Sequence, residues 1–326
     1  MRRKVMFKGA IRLIVCLALL AVVLATWGCG GGATGYRISV YTRSDACGAA
    51  DTWALYLDGH KQEDLKGTGI SSDPGIGQAV TQDKLGIGYT NLSYAYDMDT
   101  GLQLSGLRVV PIDVDGNGRI DDAEDFYGTK QEMAAAIAEG LYPSPPARDL
   151  YFVAKGEFTG VAREFVRWVL TDGQQYVDQA GYVAIPQAKL DVALDKLGDS
   201  EVSEPLAGNI TISGAFALYP MTVTWVDEFR KLYPDVSIDM SAGGAGKGMT
   251  DVLAGMVDIA MVSREINTSE IAKGAFYLPV TKDCVVPIVN NKNPWLEDLL
   301  EKGMTKQQFV SIWIEASLTD WRDVTG

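Results

Sequence analysis

An α/β fold with mostly parallel strands is predicted by the alternation of strand and helix patterns along this chain of 326 residues. Three β-rich runs lead through turns of small residues into helical patterns, at 37–57, 209–232 and 236–254. Strand–helix–strand order favours parallel pairing, because the crossover helix returns the chain to the same edge of the sheet. The length indicates roughly two domains, at about 150 residues each.

Each element is predicted from the spacing of its apolar residues. Strands are expected where apolar and β-branched residues cluster or alternate, at 37–41, 86–89, 107–112, 150–153, 209–212, 236–240, 257–262 and 285–289. Helices are expected where apolar residues recur every three or four positions, at 51–57, 131–138, 161–170, 221–232, 249–254 and 306–314. Residues 189–206 are acidic and poor in aromatic residues, so they are predicted to be a linker.

Composition excludes several classes of protein. The chain carries 29 Lys and Arg against 42 Asp and Glu, a formal net charge of −13. This acidity argues against nucleic-acid binding, which needs clustered positive charge. His60 is the one histidine in the sequence, which argues against His-based zinc sites and Ser-His-Asp triads.

The first 28 residues are predicted to be a secretory signal. A basic start is followed by an apolar run that is short for a membrane span. The run ends at Gly28 and Cys29, which resemble a bacterial lipoprotein cleavage site with Cys29 carrying the lipid; residues 29–36 then form a tether. Two alternatives stay open, which are ordinary cleavage with soluble export and an uncleaved anchor.

Two cysteines remain after Cys16 is lost with the signal and Cys29 is lipidated. Cys47 and Cys284 are far apart in sequence. They can form one disulfide in an oxidising compartment or stay as two unpaired thiols, and spacing alone does not decide between these.

The three strand–turn–helix junctions predict an anion site. Each aims free backbone N–H groups and a helix N-terminus at one point, an arrangement that attracts anions. Arg43 and Lys247 lie inside two of these turns. The alternative for any single junction is an ordinary loop whose small residues serve packing.

Residues 208–266 resemble the opening of the phosphate-binding protein of bacterial phosphate ABC transporters. The resemblance rests on Ser-Gly followed by small residues, Tyr-Pro, a helix ending in Tyr-Pro-Asp-Val, a Gly-rich loop and Val-Asp-Ile before Ser-Arg-Glu. Residues 37–57, 86–96 and 148–186 resemble later parts of the same family. The resemblance implies a periplasmic-binding-protein type II fold, with two mixed, mostly parallel sheets flanked by helices and a ligand cleft between them.

The family's phosphate-binding residues carry over by position. They correspond here to Arg43, Asp45, Cys47, Gly48, Ala49, Ala215, Phe216, Ala217, Ala245, Gly246, Lys247 and Ser263. Arg43 is expected to pair with anion oxygens in a planar fork, and Asp45 to orient Arg43 or to accept the proton of a protonated oxyanion. Where the family often has hydroxyls, this chain has Cys47, Ala49, Phe216 and Ala245, so each lost donor weakens the expected affinity.

The order of the segments predicts a circular permutation. In the family, the segment at 321–326 would precede the strand at 37–41, whereas here it closes the chain. The expected domains are then 37–146 with 286–326, and 147–285 with the linker 189–206 left exposed. A single chain would be a monomer; the alternative is a truncated tandem array whose halves pair between two chains.

A calcium loop is predicted independently of the family. The twelve residues from Asp113 to Glu124 match the pattern of an EF-hand loop, with Gly118 at the sharp turn. The expected ligands are Asp113, Asp115, Asn117, the carbonyl of Arg119, Asp121 and Glu124. The preceding strand pattern predicts one structural Ca²⁺ rather than a paired sensor, and the alternative is a solvated acidic turn.

These features together predict an extracytoplasmic solute-binding protein that captures inorganic phosphate, or a related oxyanion, for an ABC importer. The expected partners are the oxyanion and the permease subunits, with no nucleic acid and no organic cofactor. The protein would lie in the periplasm or on the outer cell surface, attached to the membrane only at its N-terminus. The alternatives are a calcium-dependent surface or adhesion protein and a phosphatase-like enzyme whose nucleophile is Cys47 with a lowered pKa.

Overall fold

The computed structural model describes residues 35–199 and 205–324. The predicted signal segment, Cys29 and most of the tether lie outside the described residues. Within those residues, no helix is both long and apolar enough to cross a membrane.

The described strands belong to one mixed sheet, in the order β2-β1-β3-β9-β5-β8-β6-β7, with β4 also paired to β9. Their bounds are β1 Ser39–Arg43, β2 Thr68–Ile70, β3 Gly86–Asn91, β4 Leu107–Val109, β5 Ala147–Lys155, β6 Gly208–Gly214, β7 Val236–Ala242, β8 Ile259–Val262 and β9 Ala275–Asn290. Pairing is parallel between β1 and β2, β1 and β3, β6 and β7, and β6 and β8. It is antiparallel wherever β5 or β9 pairs with a neighbouring strand.

Helices cover the sheet. Their bounds are α1 Gly48–Tyr56, α2 Asp73–Gln82, α3 Lys130–Glu139, α4 Gly160–Leu170, α5 Gln187–Leu197, α6 Tyr219–Leu232, α7 Ala245–Leu253, α8 Thr268–Ile271, α9 Leu296–Lys302 and α10 Lys306–Val310. Local sequence sets several of these ends. Thr129 and Glu132 form a capping box at the start of α3, and Gly140 ends that helix in the left-handed conformation.

Two hydrophobic cores lie along the sheet. The first core is built from residues 38–147 and 284–324 together with Val183, and in it Trp53 of α1 packs edge-to-face against Trp313. The second core is built from residues between 150 and 280, with Trp225 of α6 at its centre. The division into domains at 146/147 and 285/286 stays a prediction.

Strands β5 and β9 connect the two cores. β9 is 16 residues long; its first part pairs with β5 from Ala275 to Cys284, and its last part pairs with β3 and β4. Two long antiparallel strands therefore run from one core into the other.

The predicted linker is wrong over its first half. Residues 187–197 form α5, and Leu190, Ala193 and Leu197 are buried in the second core. Their spacing of three and four residues places them on one face of the helix. The acidic residues elsewhere on the helix made the segment resemble a linker. Leu206 is also buried, and residues 200–204 lie outside the described part. The expectation of an exposed strap without a core role is therefore not met.

We expect Leu190→Ala to lower the free energy of unfolding by about 2–5 kcal/mol, because it leaves a cavity in the second core. Val192 lies on the same helix and is 55% exposed, so Val192→Ala is the matched control and should change stability by about 0.5 kcal/mol or less. Urea unfolding of the two variants measures the difference. Equal stabilities would show that α5 does not pack on this core.

Candidate functional site

Arg43 lies at the end of β1 between two carboxylates. Its Nε and Nη2 donate to Asp45 Oδ1 at 2.9 Å and Oδ2 at 2.6 Å, and its Nη1 donates to Asp73 Oδ2 at 2.6 Å. The Arg43 side chain is fully buried. Among these described contacts three of the five guanidinium donors are used, which leaves two N–H groups for a ligand.

Asp73 is a site residue that sequence reasoning missed. It begins α2, and its Oδ1 accepts hydrogen bonds from Thr90 Oγ1 at 3.1 Å and from the Asn91 N–H at 3.0 Å. The Ser-Asp-Pro run that ends at Pro74 predicts a helix start, but nothing in it indicates an arginine thirty positions earlier in the chain.

The charges in this cluster reinforce one another. Burial acts to lower the pKa of Arg43, but the carboxylates of Asp73 and Asp45 outweigh it and raise that pKa above its usual value. Burial acts to raise the pKa of Asp45, and hydrogen bonds from Arg43 and the Ser72 N–H lower it overall. Arg43 and Asp45 are therefore both held in their ionised forms near neutral pH.

The loop after β6 faces Arg43. The Phe216 ring centre lies 5.6 Å from the Arg43 guanidinium carbon, a cation–π contact. Two tyrosines fix this loop, because Tyr94 donates to the Phe216 carbonyl at 3.2 Å and Tyr182 donates to the Ala217 carbonyl at 2.7 Å. Ala215 is buried and donates its N–H to the carbonyl of Met261.

The Gly-rich loop before α7 closes against the loop before α1. The Gly246 N–H points to the Ala46 carbonyl at 3.4 Å. Gly244 has φ +90°, and a Cβ there would lie 3.0 Å from the Ala46 carbonyl oxygen, so glycine permits both the backbone conformation and the close approach. Ala245, which follows, is fully buried.

Gly48 and Ser263 make a second contact between the two sides. A Cβ on Gly48 would overlap the carbonyl and hydroxyl oxygens of Ser263. Ala49 follows in the first turn of α1 and is buried. The structure therefore brings together residues from the ends of β1, β6 and β8 and from the N-termini of α1 and α7.

Lys247 and Arg264 are engaged elsewhere. The Lys247 ammonium pairs with Asp251 one turn along α7, and its side chain is about half exposed. Arg264 pairs with Glu270 at 2.7 Å and lies 3.4 Å from Asp51. The predicted ligand role of Lys247 stays a prediction.

Cys47 is a buried neutral thiol. Burial raises the pKa of Cys47 to about 12, and the nearby Arg43 lowers it only in part. Cys47 and Cys284 are both free and buried, so the alternative of a disulfide between them is wrong. The phosphatase-like alternative predicts a lowered pKa for the Cys47 thiol. That prediction is also wrong, because the effect of burial outweighs that of the neighbouring positive charge.

Buried charges lie behind the loop that precedes α1. Arg148 of β5 donates to the Gly48 carbonyl at 3.1 Å and also to Asn91 Oδ1. Asp283 lies opposite Arg148 in the β5–β9 register. Burial raises the pKa of Asp283 to about 6 against the opposing effect of Arg148 and of Lys130 on α3. This network ties the crossing strands to the start of α1.

The arrangement presents fixed donors to a small anion. The first N–H groups of an α-helix have no partner within the helix, and the helix dipole favours negative charge there. Two such ends, α1 and α7, meet beside the buried Arg43. A cavity of about 550 Å³ adjoins this meeting point and is lined in part by Arg43, Ala46 and Gly246. The predicted calcium residues, 113–124, lie elsewhere, in the loop that follows β4.

The chain belongs to the family described as the PBP superfamily domain, which matches residues 7–173 and 199–326. The predicted α/β binding-protein fold is thereby confirmed, although the described strands form one continuous mixed sheet and not the two sheets that were predicted. A solved structure of a phosphate-binding protein of a phosphate ABC transporter from Streptococcus pneumoniae shares that fold. It has a TM-score of 0.56 at 20% identity and covers 88% of this chain and 99% of its own.

Curated relatives also resemble the chain in sequence. Phosphate-binding protein PstS 2 of Streptococcus agalactiae is 26% identical over 248 residues, 76% of this chain and 70% of its own length. Protein SphX of Synechocystis is 31% identical over 149 residues, 43% of this chain and 42% of its own length. The first of these is named as a binding protein rather than an enzyme.

The stability of the folded chain should depend on pH through Asp283, the buried carboxylate that lies opposite Arg148 in the β5–β9 register. The folded chain binds the Asp283 proton more tightly than the unfolded chain does, since its pKa rises from 3.8 to about 6. The carboxylate therefore destabilises the folded state above about pH 6, and this penalty disappears as the pH falls toward about 4. Asp283→Asn removes the titration, so its stability relative to wild type should drop by about 1–3 kcal/mol between about pH 7 and pH 4.

Chemical unfolding at a series of pH values measures that difference. Asp99 is an exposed aspartate, so Asp99→Asn is the control and its difference from wild type should stay nearly constant. A pH-independent difference for Asp283→Asn would contradict the assignment.

Proposed function

We propose that this chain captures inorganic phosphate, or a closely related oxyanion, outside the cytoplasmic membrane and delivers it to the membrane subunits of an ABC importer. The observation that carries the proposal is the buried Arg43, oriented by Asp45 and Asp73 where the N-termini of α1 and α7 meet. Relatives named as phosphate-binding proteins support the same ligand.

The carboxylates favour an oxyanion that still carries a proton. Asp45 and Asp73 together outnumber the one positive charge of Arg43, so an oxyanion without a proton is repelled, whereas one that keeps a proton can donate a hydrogen bond to a carboxylate. Phosphate near neutral pH keeps at least one proton, whereas sulfate has none to offer. Ser263 supplies a hydroxyl on the opposite side, and the missing hydroxyls at Cys47 and Ala49 make backbone N–H groups the main remaining donors.

We further propose that the protein is exported and held at the membrane by a lipid on Cys29. The basic start, the short apolar run and the Gly28–Cys29 pair support this location. The protein would act as a monomer binding one anion per chain, because both anion loops meet within one described chain.

Arg43→Lys should weaken phosphate binding roughly 10- to 100-fold, because the lysine keeps the charge but cannot reproduce the planar fork. Isothermal titration with phosphate measures the loss, with sulfate as the second ligand expected to bind wild type much more weakly. Lys231→Gln is the control, because Lys231 lies in the last turn of α6, is exposed and pairs with Glu228; the phosphate affinity of this variant should change less than about threefold.

Two results would refute the phosphate site. One is Arg43→Lys binding phosphate as tightly as wild type. The other is a wild-type protein that binds sulfate but not phosphate, since that would leave the carboxylates without a role in selection. Circular dichroism of the variant separates a lost ligand contact from a failure to fold.

We also propose that the chain is a circular permutant of the family. The family match falls in two stretches on either side of α5. Arg37 pairs with Asp320 in an antiparallel bridge, and the Ile38 N–H donates to the Thr319 carbonyl at 2.9 Å. Residues 37 and 320 are therefore already paired, so a covalent link from residue 326 to residue 37 would lie beside an existing contact, in the segment order expected of the family.

A relinked chain tests this order. Residues 205–326 followed directly by residues 37–199 should fold to a monomer and bind phosphate within about threefold of the natural order, because the join replaces an existing contact. The same relinked chain carrying Arg43→Lys is the control for binding at the original site. Failure of the relinked chain to fold would oppose the permutation. A natural chain that is a dimer and loses phosphate on dilution would support exchanged halves instead.

A further inference from the structure

We propose that the loop from Asp113 to Glu124 binds one Ca²⁺ ion, a site independent of the proposed phosphate capture. Carboxylate oxygens of Asp113, Asp115 and Glu124 lie within 4.8 Å of one another. Oxygens that share one calcium at 2.3–2.6 Å cannot be more than about 5 Å apart, so one ion can reach all three. Three like charges this close repel one another, and a divalent cation removes that repulsion.

Glu124 supplies the observation that points to a missing ligand. Glu124 is 8% exposed, and its Oε2 is buried without a hydrogen-bond partner among the described residues. The other oxygen, Oε1, accepts from the Val114 N–H at 2.8 Å. An unpaired buried carboxylate oxygen is costly in a folded protein. Because the Glu124 carboxylate also lies close to those of Asp113 and Asp115, its unpaired oxygen fits a cation better than a neutral donor.

The backbone of the loop also turns around the carboxylate of Asp113. Asp113 Oδ1 accepts from the Gly116 N–H at 2.8 Å, and its Oδ2 accepts from the Gly118 N–H at 3.0 Å. Gly116 and Gly118 have φ of +72° and +81°, a conformation that favours glycine. These turns fold residues 113–118 back so that Asp115 approaches Asp113.

Further oxygens complete the shell by position in the loop. Asn117, the carbonyl of Arg119 and Asp121 occupy the fifth, seventh and ninth places of the twelve-residue pattern. They are exposed or half-buried, so they can adjust to an ion without disturbing the core. Only oxygen ligands are available, which suits a hard cation such as Ca²⁺.

The loop is attached to the C-terminal part of the first core. The Ile120 N–H donates to the Glu301 carbonyl at 2.8 Å, and the Asp113 N–H donates to the Met304 carbonyl at 3.1 Å. A bound ion would therefore hold the segment between α9 and α10 as well as its own loop. Because the segment leads into α10 and the packed Trp313, the ion should stabilise the first core.

The experiment is thermal unfolding with and without Ca²⁺, after removal of metal by a chelator. With a Kd on the order of 10⁻⁴–10⁻³ M, about 10 mM Ca²⁺ should raise the folded-to-unfolded ratio roughly 10- to 100-fold. The melting temperature should rise accordingly, and Mg²⁺ at the same concentration should raise it less. Amide exchange should slow in peptides that cover 112–125 and 301–305.

Glu124→Gln is the sharpest variant, because glutamine keeps the shape and can still accept from Val114. It should melt at or above wild type in chelator, since one repelling charge is gone, and it should lose the calcium increment. Asp122 is an exposed acid at a non-ligand position of the same loop, so Asp122→Asn is the control and should keep the increment.

Asp115→Asn provides a second variant at an exposed ligand position, should Glu124→Gln fail to fold. The proposal is overturned if wild type melts alike with and without calcium, or if the folded ligand variants keep the full increment. Phosphate affinity of Glu124→Gln should equal that of wild type, which separates this site from the one at Arg43.

Discussion

The antiparallel pairing of β5 with β9 is the constraint on which the rest of the molecule depends. Both strands leave one hydrophobic core and enter the other, and they stay hydrogen-bonded from the pair Ala147 and Cys284 to the pair Lys155 and Ala275. Every contact across the candidate site, such as Gly48 against Ser263, needs the two cores held at the separation that this ladder sets. A register shift next to Leu150 marks the point where the ladder passes between them.

A charged residue on β5 also connects this pair of strands to the candidate site. Arg148 projects from β5 and reaches the carbonyl of Gly48, so the crossing strands touch the helix whose N-terminus forms half of the candidate site. Arg43 needs no such link, because Asp45 and Asp73 orient it within the first core. Removing an arginine and two carboxylates from water costs free energy. Such a cost is expected at a site whose charges are fixed in position before a ligand binds.

The described ends of the chain come together on the first core. Arg37 and Asp320 form a bridge, and the loop from Asp113 to Glu124 attaches a few residues earlier, at Glu301 and Met304. If the chain is a permutant, as proposed, a covalent connection is missing at this place and the segment has to be held by other contacts. Backbone bridges, the tryptophans at 313 and 321, and a cation in the loop would all act on the same stretch.

Sequence alone determined the features that depend on neighbours along the chain. The small-residue turns before α1 and α7, the oxygen pattern from Asp113 to Glu124 and most strands follow from local spacing, and Arg43 with Asp45 is a contact of two residues in one loop. Tertiary structure alone decided the partners that come from distant segments. The pairing of Arg43 with Asp73, the burial of one face of α5 and the buried state of Cys47 all depend on which surfaces meet. The periodicity of apolar residues predicts that one face of a helix or strand will be buried. Which residues cover that face, and therefore the charge and pKa of the side chains beneath them, is decided only when the two cores pack.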